Sequence, residues 1–234
     1  CSSDLDEKLA EFFSRRKVTL KVDGYDNPLD YLIAEKYLAK VTYKPLFNQC
    51  GIKRTPEDLT VINEQLELPA RILEALADDE KRNLRIIIEI EALAMRHQRI
   101  IVFALSVEHS NLLAATLQVR GLDAKSVTGN TPPAVRQSTI ADYKSDGEDC
   151  KILCNFGVLT TGFDAPKTSA AVIARPTTSL VLYSQMIGRA IRGVRAGGNE
   201  EAEIVTVVDT DLPAFGDVAE AFTNWEDIWE GVEL

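Results

Sequence analysis

The run RIIVFAL at residues 99–105 constrains the fold more than any other stretch of the chain. Six apolar residues in a row, three of them β-branched, suit a strand buried on both faces, as in a parallel sheet covered by helices. The segments beyond Leu105 repeat that logic. VEHSNLLAATLQVRG (107–121) has helical spacing and a glycine stop, AKSVTG (124–129) is a short strand, and NTPPAVRQSTIADYKSDG (130–147) is a helix with Thr131 as its cap and prolines in the first turn. KILCN (151–155), AAVIAR (170–175) and AEIVTVVD (202–209) supply three more strands. Repeated β-α units of this length imply an α/β fold, a parallel sheet wound right-handed and flanked by helices.

The first 98 residues are less regular. SSDLDEKLAEFFSRR reads as a capped helix, KVTLKV as a strand and DNPLDYLIAEKYLAK (26–40) as another helix. Residues 56–96 hold two or three helices, with Asp78 or Asp79 capping the last. Pro45, Gly51 and Pro56 mark a boundary, so residues 1–55 are expected to form a mostly helical lead-in and residues 56–234 the main domain. Trp225 and Trp229, spaced i and i+4 near the end, suit a helix docked on that domain rather than a base-stacking platform, given their neighbours Glu226, Asp227 and Glu230.

Composition narrows the function. No apolar run approaches the roughly 18 residues needed to cross a bilayer, so no membrane role is expected. The four cysteines, at 1, 50, 150 and 154, lack C-x-x-C spacing and read as reduced thiols, Cys154 in the core. With only His97 and His109 besides, no zinc site is expected, and the location is cytoplasmic, or nuclear in a eukaryote. A net charge of −10 argues against nucleic-acid binding by bulk charge; any such contact must be local. The chain begins without methionine and reads as a piece of a longer protein.

Against that acidic background QMIGRAIRG (185–193) stands out. On a continuous helix Gln185, Arg189 and Arg192 fall within roughly 60° of one another, with Met186, Ile187 and Ile191 turned away. Two guanidinium groups and an amide on one face suit phosphate oxygens, although a solvated basic face has the same pattern. In α/β sheets ligands gather at the carboxyl ends of strands. Ser106, Glu108 and His109 follow the first of these strands, Thr128 and Gly129 the second, and FGVLTTGFDAP (156–166) the third. Singly, Ser106 and Thr128 read equally well as cap and turn residues.

Taken in order, these segments resemble the second RecA-like lobe (P-loop NTPase-like) of superfamily 2 DEAD/DEAH-like helicases, close to the XPB-type repair helicases and the motor subunits of restriction enzymes. RIIVFALSVEHSNLLAATLQVRG is similar to motif IV and its helix, ILCNFGVLTTGFDAP to motif V, and SLVLYSQMIGRAIRG to motif VI with its Q-x-x-G-R-x-x-R pattern. The likeness covers about residues 84–209. It implies that Arg189 and Arg192 are arginine fingers, that Gln185 contacts the γ-phosphate or the surroundings of the attacking water, and that Gly188 belongs to the same motif. It further implies that Asp164 and Gly162 meet the nucleotide ribose, and that Ser106, Thr128, Gly129, Thr160 and Thr161 touch the backbone of a tracked strand. DNA is favoured over RNA.

The resemblance also implies a missing half. No G-x-x-x-x-G-K-[ST] and no D-E-x-[DH] occurs, so ATP with Mg²⁺ is expected to be bound mainly by an N-terminal RecA-like lobe of the same polypeptide. The fragment alone is then expected to be inactive as an ATPase. Two other readings compete: a non-catalytic RecA-like protein-interaction module, and a Rossmann-type nucleotide- or sugar-binding enzyme. The second lacks a glycine fingerprint after the first strand.

Overall fold

Among the described residues, six strands, all parallel, form one sheet. The computed structural model describes residues 22–25, 28–53, 55–65, 68–159, 163–177 and 179–212. In chain order these form α1 (Pro28–Ala34), β1 (Lys40–Asn48), α2 (Pro56–Gln65), α3 (Ala70–Asp78), α4 (Glu80–Ala94), β2 (Arg99–Phe103), α5 (Val107–Val119), β3 (Asp123–Thr128), α6 (Pro133–Lys144), β4 (Lys151–Phe156), β5 (Ala170–Ile173), α7 (Leu180–Ile187), a 3-10 turn (Val194–Ala196) and β6 (Glu201–Asp209). The strand order is β1-β6-β5-β2-β4-β3. No helix among the described residues is long and apolar enough to cross a membrane.

Period-two alternation divides the core between the two sheet faces. Ile100 and Val102 join Ile86, Ile90 and Leu93 of α4 and Leu113 and Leu117 of α5 on one face. Ile101 and Phe103 join Tyr143 of α6 and Tyr183, Met186 and Ile187 of α7 on the other. This is a RecA-like α/β lobe. Of the two candidate caps Asp79 is the one that caps α4, accepting from the N–H groups of Lys81 (3.0 Å) and Arg82 (3.1 Å). Gly121, at φ 87°, turns the chain after α5.

Three sequence expectations meet a different structure. The helix expected over residues 26–40 stops at Ala34, and β1 follows, paired with β6 from Lys40↔Glu201 to Asn48↔Asp209. Pro45 therefore lies inside a strand, tolerated because β1 is the edge strand among the described residues. The sheet thus crosses the boundary placed at residue 55. Thr131 does not cap α6: Pro132 takes that position, and the Thr131 hydroxyl accepts instead from the Thr128 N–H (2.9 Å). The capped helix and KVTLKV strand expected at the start, and Trp225 and Trp229, lie outside the described residues.

One buried ion pair fastens α4 to the sheet. Arg82 donates through Nε to Asp209 Oδ1 (2.9 Å) and through Nη2 to Asp209 Oδ2 (3.0 Å) and the Ala174 carbonyl (2.6 Å). Asn48 donates to the same carboxylate (3.2 Å). Both partners are essentially inaccessible to solvent. Removing one member strands the other charge without water. Asp209→Asn is therefore expected to cost about 3–5 kcal/mol in denaturant unfolding, with partial recovery in the Arg82→Met/Asp209→Leu double variant. A loss below about 1 kcal/mol for the single variant would show that the pair does not anchor the lobe.

Candidate nucleotide and nucleic-acid sites

α7 begins where the Ser179 hydroxyl accepts from the Leu182 N–H (3.2 Å), and it docks through Tyr183, Met186 and Ile187. It ends at Ile187. Beyond Gly188, whose N–H still reaches the Ser184 carbonyl (2.9 Å), the N–H groups reach back only three residues, Arg189 to Met186 (3.3 Å) and Ala190 to Ile187 (2.9 Å), and Arg192 forms an antiparallel bridge with Leu38. Gln185, Arg189 and Arg192 therefore do not share one helical face, contrary to the expectation from spacing. The reason is competition for backbone groups. Ile191 and Gly193 find their partners in the segment before β1, with Ala39 N–H donating to Ile191 O and Gly193 N–H to Tyr37 O, both 2.9 Å.

The two arginines nonetheless converge on one loop. Arg189 donates from Nη1 to the Phe163 carbonyl (2.6 Å), and its partial burial lowers its pKa from the usual arginine value. Arg192 forms an ion pair with Asp164, the next residue. That carboxylate is 68% exposed, and a pair so open to water is worth at most about 1 kcal/mol, so a competing anion or donor can separate it. Gln185 and Gly188 are half-buried in the same segment. A Cβ on Gly188 would lie 2.9 Å from the Ser184 carbonyl oxygen, which explains glycine at this turn. Gly162, Thr160 and Thr161 lie outside the described residues.

The second group of candidates lies at the carboxyl ends of β2 and β3. Ser106 caps α5, its hydroxyl accepting from the His109 N–H (3.1 Å). Thr128 is buried, and its hydroxyl accepts from the Asn130 N–H (3.3 Å). Both hydroxyls thus hold their own loops, while Gly129 is exposed, with open space where a side chain would stand. Two residues that the sequence did not single out for these roles fix this edge. Arg136 donates from Nη2 to the carbonyls of Thr128 (3.0 Å), Gly129 (3.2 Å) and Thr131 (3.2 Å). Asn83 accepts from His109 Nε2 (2.9 Å), whose Nδ1 accepts from the Leu105 N–H (3.2 Å), which sets the imidazole tautomer. A cationic residue one turn into a helix that follows a threonine-glycine turn was the available signal for Arg136.

The candidates therefore do not gather at one end of the sheet as the sequence suggested. Ser106 and Gly129 follow strand carboxyl ends, whereas α7 returns the chain to the amino end of β6. Residues 157–169 likewise run from the end of β4 to the start of β5, where Ser169 N–H donates to Arg99 O (3.1 Å). Asp164, Arg189 and Arg192 belong to these returning segments. The chain separates the two groups.

With this geometry in view, residues 82–194 match the helicase conserved C-terminal domain. A 51.5 kDa protein of Lactococcus phage (isolate 7-9) is 32% identical over 134 residues, 57% of this chain and 28% of that protein. A Schizosaccharomyces pombe protein, provisionally named mitochondrial ATP-dependent helicase irc3, is 33% identical over 92 residues, 39% of this chain and 15% of that protein. The chain thus spans less than a third of the length of either relative. A fragment provisionally identified as the HsdR subunit of a type I restriction enzyme, from Vibrio vulnificus YJ016, superposes with a TM-score of 0.59 at 20% identity, covering 89% of this chain and 40% of that one. At that identity the likeness is one of fold.

His109 gives the carboxyl-edge network a pH signature. Burial, aided by the Arg82 charge, pushes its pKa from 6.5 down to about 3, so the folded lobe holds it neutral. The unfolded chain takes up this proton near pH 6.5. It therefore binds more protons between the two values, and stability falls as pH drops, by up to about 1.4 kcal/mol per unit. Carboxylates held low by ion pairs, such as Asp142 at about 2 beside Lys125 and Lys151, add their loss only in more acid solution. Urea unfolding between about pH 5 and 7 should show this slope in the native chain and a flatter one in His109→Gln. Equal slopes would assign the acid lability to another group.

Proposed function

Residues 82–194 belong to the helicase conserved C-terminal domain family, and on that footing we propose that this lobe is the second motor lobe of an ATP-dependent nucleic-acid helicase or translocase. The observation that carries the proposal is the meeting of the Arg189–Arg192 segment with Phe163 and Asp164: two guanidinium groups and a carboxylate on one partly exposed surface. These groups fit the outer half of a nucleotide site. Arginine forks match phosphate oxygens, and the Asp164–Arg192 pair is open enough to be exchanged for ligand contacts.

In this reading ATP with Mg²⁺ is held mainly by a preceding RecA-like lobe of the same polypeptide and supplies the phosphoanhydride that is hydrolysed. Arg189 and Arg192 place positive charge where negative charge develops on the transferred phosphoryl group, from outside the phosphate cradle. Asp164, released from Arg192, accepts from a ribose hydroxyl, with Gly162 allowing close approach. Gln185 and Gly188 complete the segment. At the opposite edge, the exposed Gly129 backbone, presented by loops that the Ser106 and Thr128 hydroxyls hold, contacts the phosphates of a tracked strand together with Thr160 and Thr161, DNA by preference. Such contacts read backbone rather than bases. Reduced thiols fit a cytoplasmic or nuclear setting.

Two measurements test this reading. In the intact protein, Arg189→Ala and Arg192→Ala should each lower kcat for ATP on the order of a hundredfold while nucleotide affinity and Tm change little. Lysine should restore little, because a point charge does not reproduce the planar fork. Near-normal turnover in the singles and the double variant would reduce the motif to a solvated basic face. The 234-residue chain by itself should show no ATPase above background, and its single-strand binding should weaken steeply with salt. Nucleic-acid-stimulated turnover by this chain alone would refute the division of labour between two lobes.

A further inference from the structure

The loop that carries Arg192 is gripped by the chain that enters the lobe. α1 ends at Ala34, and Lys36 takes a left-handed conformation (φ 61°), uncommon for a residue with a side chain. The chain then runs antiparallel to the loop. Arg195 N–H donates to Lys36 O, Gly193 N–H to Tyr37 O and Ala39 N–H to Ile191 O, each at 2.9 Å, with the Leu38–Arg192 bridge at the centre. Side chains reinforce the crossing: Arg195 pairs with Glu35 (2.5 Å) and lies over the Tyr37 ring (5.1 Å), and Lys36 pairs with Glu200 (3.1 Å).

Two glycines show how close the crossing is. A Cβ on Gly193 would lie 2.2 Å from Lys36 O and 2.8 Å from the Leu38 carbonyl carbon. One on Gly198 would lie 2.1 Å from Arg192 O, where the returning chain also donates from Asn199 N–H (2.9 Å). Arg192 is thus held between two backbone segments, while its guanidinium ends at a solvent-facing carboxylate. The backbone, not the side-chain pair, fixes its direction. These contacts are separate from the sheet: β1 is already secured to β6 over nine residue pairs.

We propose that residues 35–39 are a positioning strap for Arg192, through which movement of the chain ahead of this lobe is passed to the arginine. The proposal rests on the finger role given to Arg192 above. Whatever precedes residue 35 enters the lobe by this strap, so a change in its approach angle must either bend the strap at Lys36 or shift the 191–195 loop. The strap makes placement of the finger depend on how the preceding chain sits.

The test uses the intact protein with three variants: Arg192→Ala, Gly193→Ala, and Glu35→Gln/Tyr37→Ala. The last removes only surface contacts and serves if the crowded Gly193→Ala chain does not fold. In the strap variants, amide exchange should quicken at Gly193 and Arg195 relative to the β1 and β6 amides. For Gly193→Ala, kcat should fall by about tenfold to a hundredfold, as small misplacements of a catalytic group do. Nucleotide affinity should stay within about twofold, because ground-state binding is not what the finger supplies. The surface variant should show the same kcat-selective loss to a smaller degree. If Arg192→Ala impairs turnover but both strap variants turn over normally, the strap inference is overturned and the finger reading stands. If Arg192→Ala is itself normal, the finger reading fails, and positioning by the strap fails with it. Unchanged amide exchange in the strap variants would overturn the grip whatever the activity.

Discussion

The Arg82–Asp209 pair is the contact on which the arrangement of the lobe depends. A guanidinium and a carboxylate with almost no access to water are held by desolvation as much as by attraction, since neither can leave without exposing an unpaired charge. Through it α4 is tied to the carboxyl ends of β5 at Ala174 and β6 at Asp209, and through Asn48 to β1. The same helix carries Asn83, which holds His109 and thereby the turn before α5. Burial and the Arg82 charge keep that imidazole neutral, so the network has one protonation state through the neutral range. The carboxyl edge is a rigid platform.

The other edge is built on the opposite principle. Asp164 and Arg192 also pair, but at a surface where solvent screens both charges and the pair adds little stability. A permanent pair at one edge and an exchangeable pair at the other suit different tasks. The first preserves a shape. The second holds two groups together loosely enough that another charged partner can exchange with either. Arg189, with its carbonyl partner at Phe163 and partial burial, is intermediate between the two.

How much of this was legible in the sequence depends on whether neighbours in sequence or neighbours in space decide each element. Strands such as β2 and β4 declare themselves because burial on both faces demands uninterrupted apolar runs. Asp79 was legible as a cap because capping is settled within three residues. β1 was not: its alternating pattern is broken by Pro45, and only the knowledge that it occupies an edge makes that proline acceptable. The helix through Arg192 was misread because its spacing is helical, while the partners that overrule the helix, Tyr37 and Ala39, lie more than 150 residues away. Thr128 was legible as part of a turn, but the inward direction of its hydroxyl was not.

The β4–β5 connection joins the two edges of the sheet that carry the candidate residues. Residues 157–169 leave the carboxyl edge after Phe156 and arrive at the amino edge before Ala170, so one short segment touches both. Among its described residues, Leu159, Phe163 and Ala165 are buried against the α6–α7 side of the core, and Phe163 packs near Tyr143. Arg189 binds the backbone of Phe163, and Asp164 follows it directly. The two edges are thus joined by one connection, and its described part holds Arg189 by a carbonyl and Arg192 by a carboxylate.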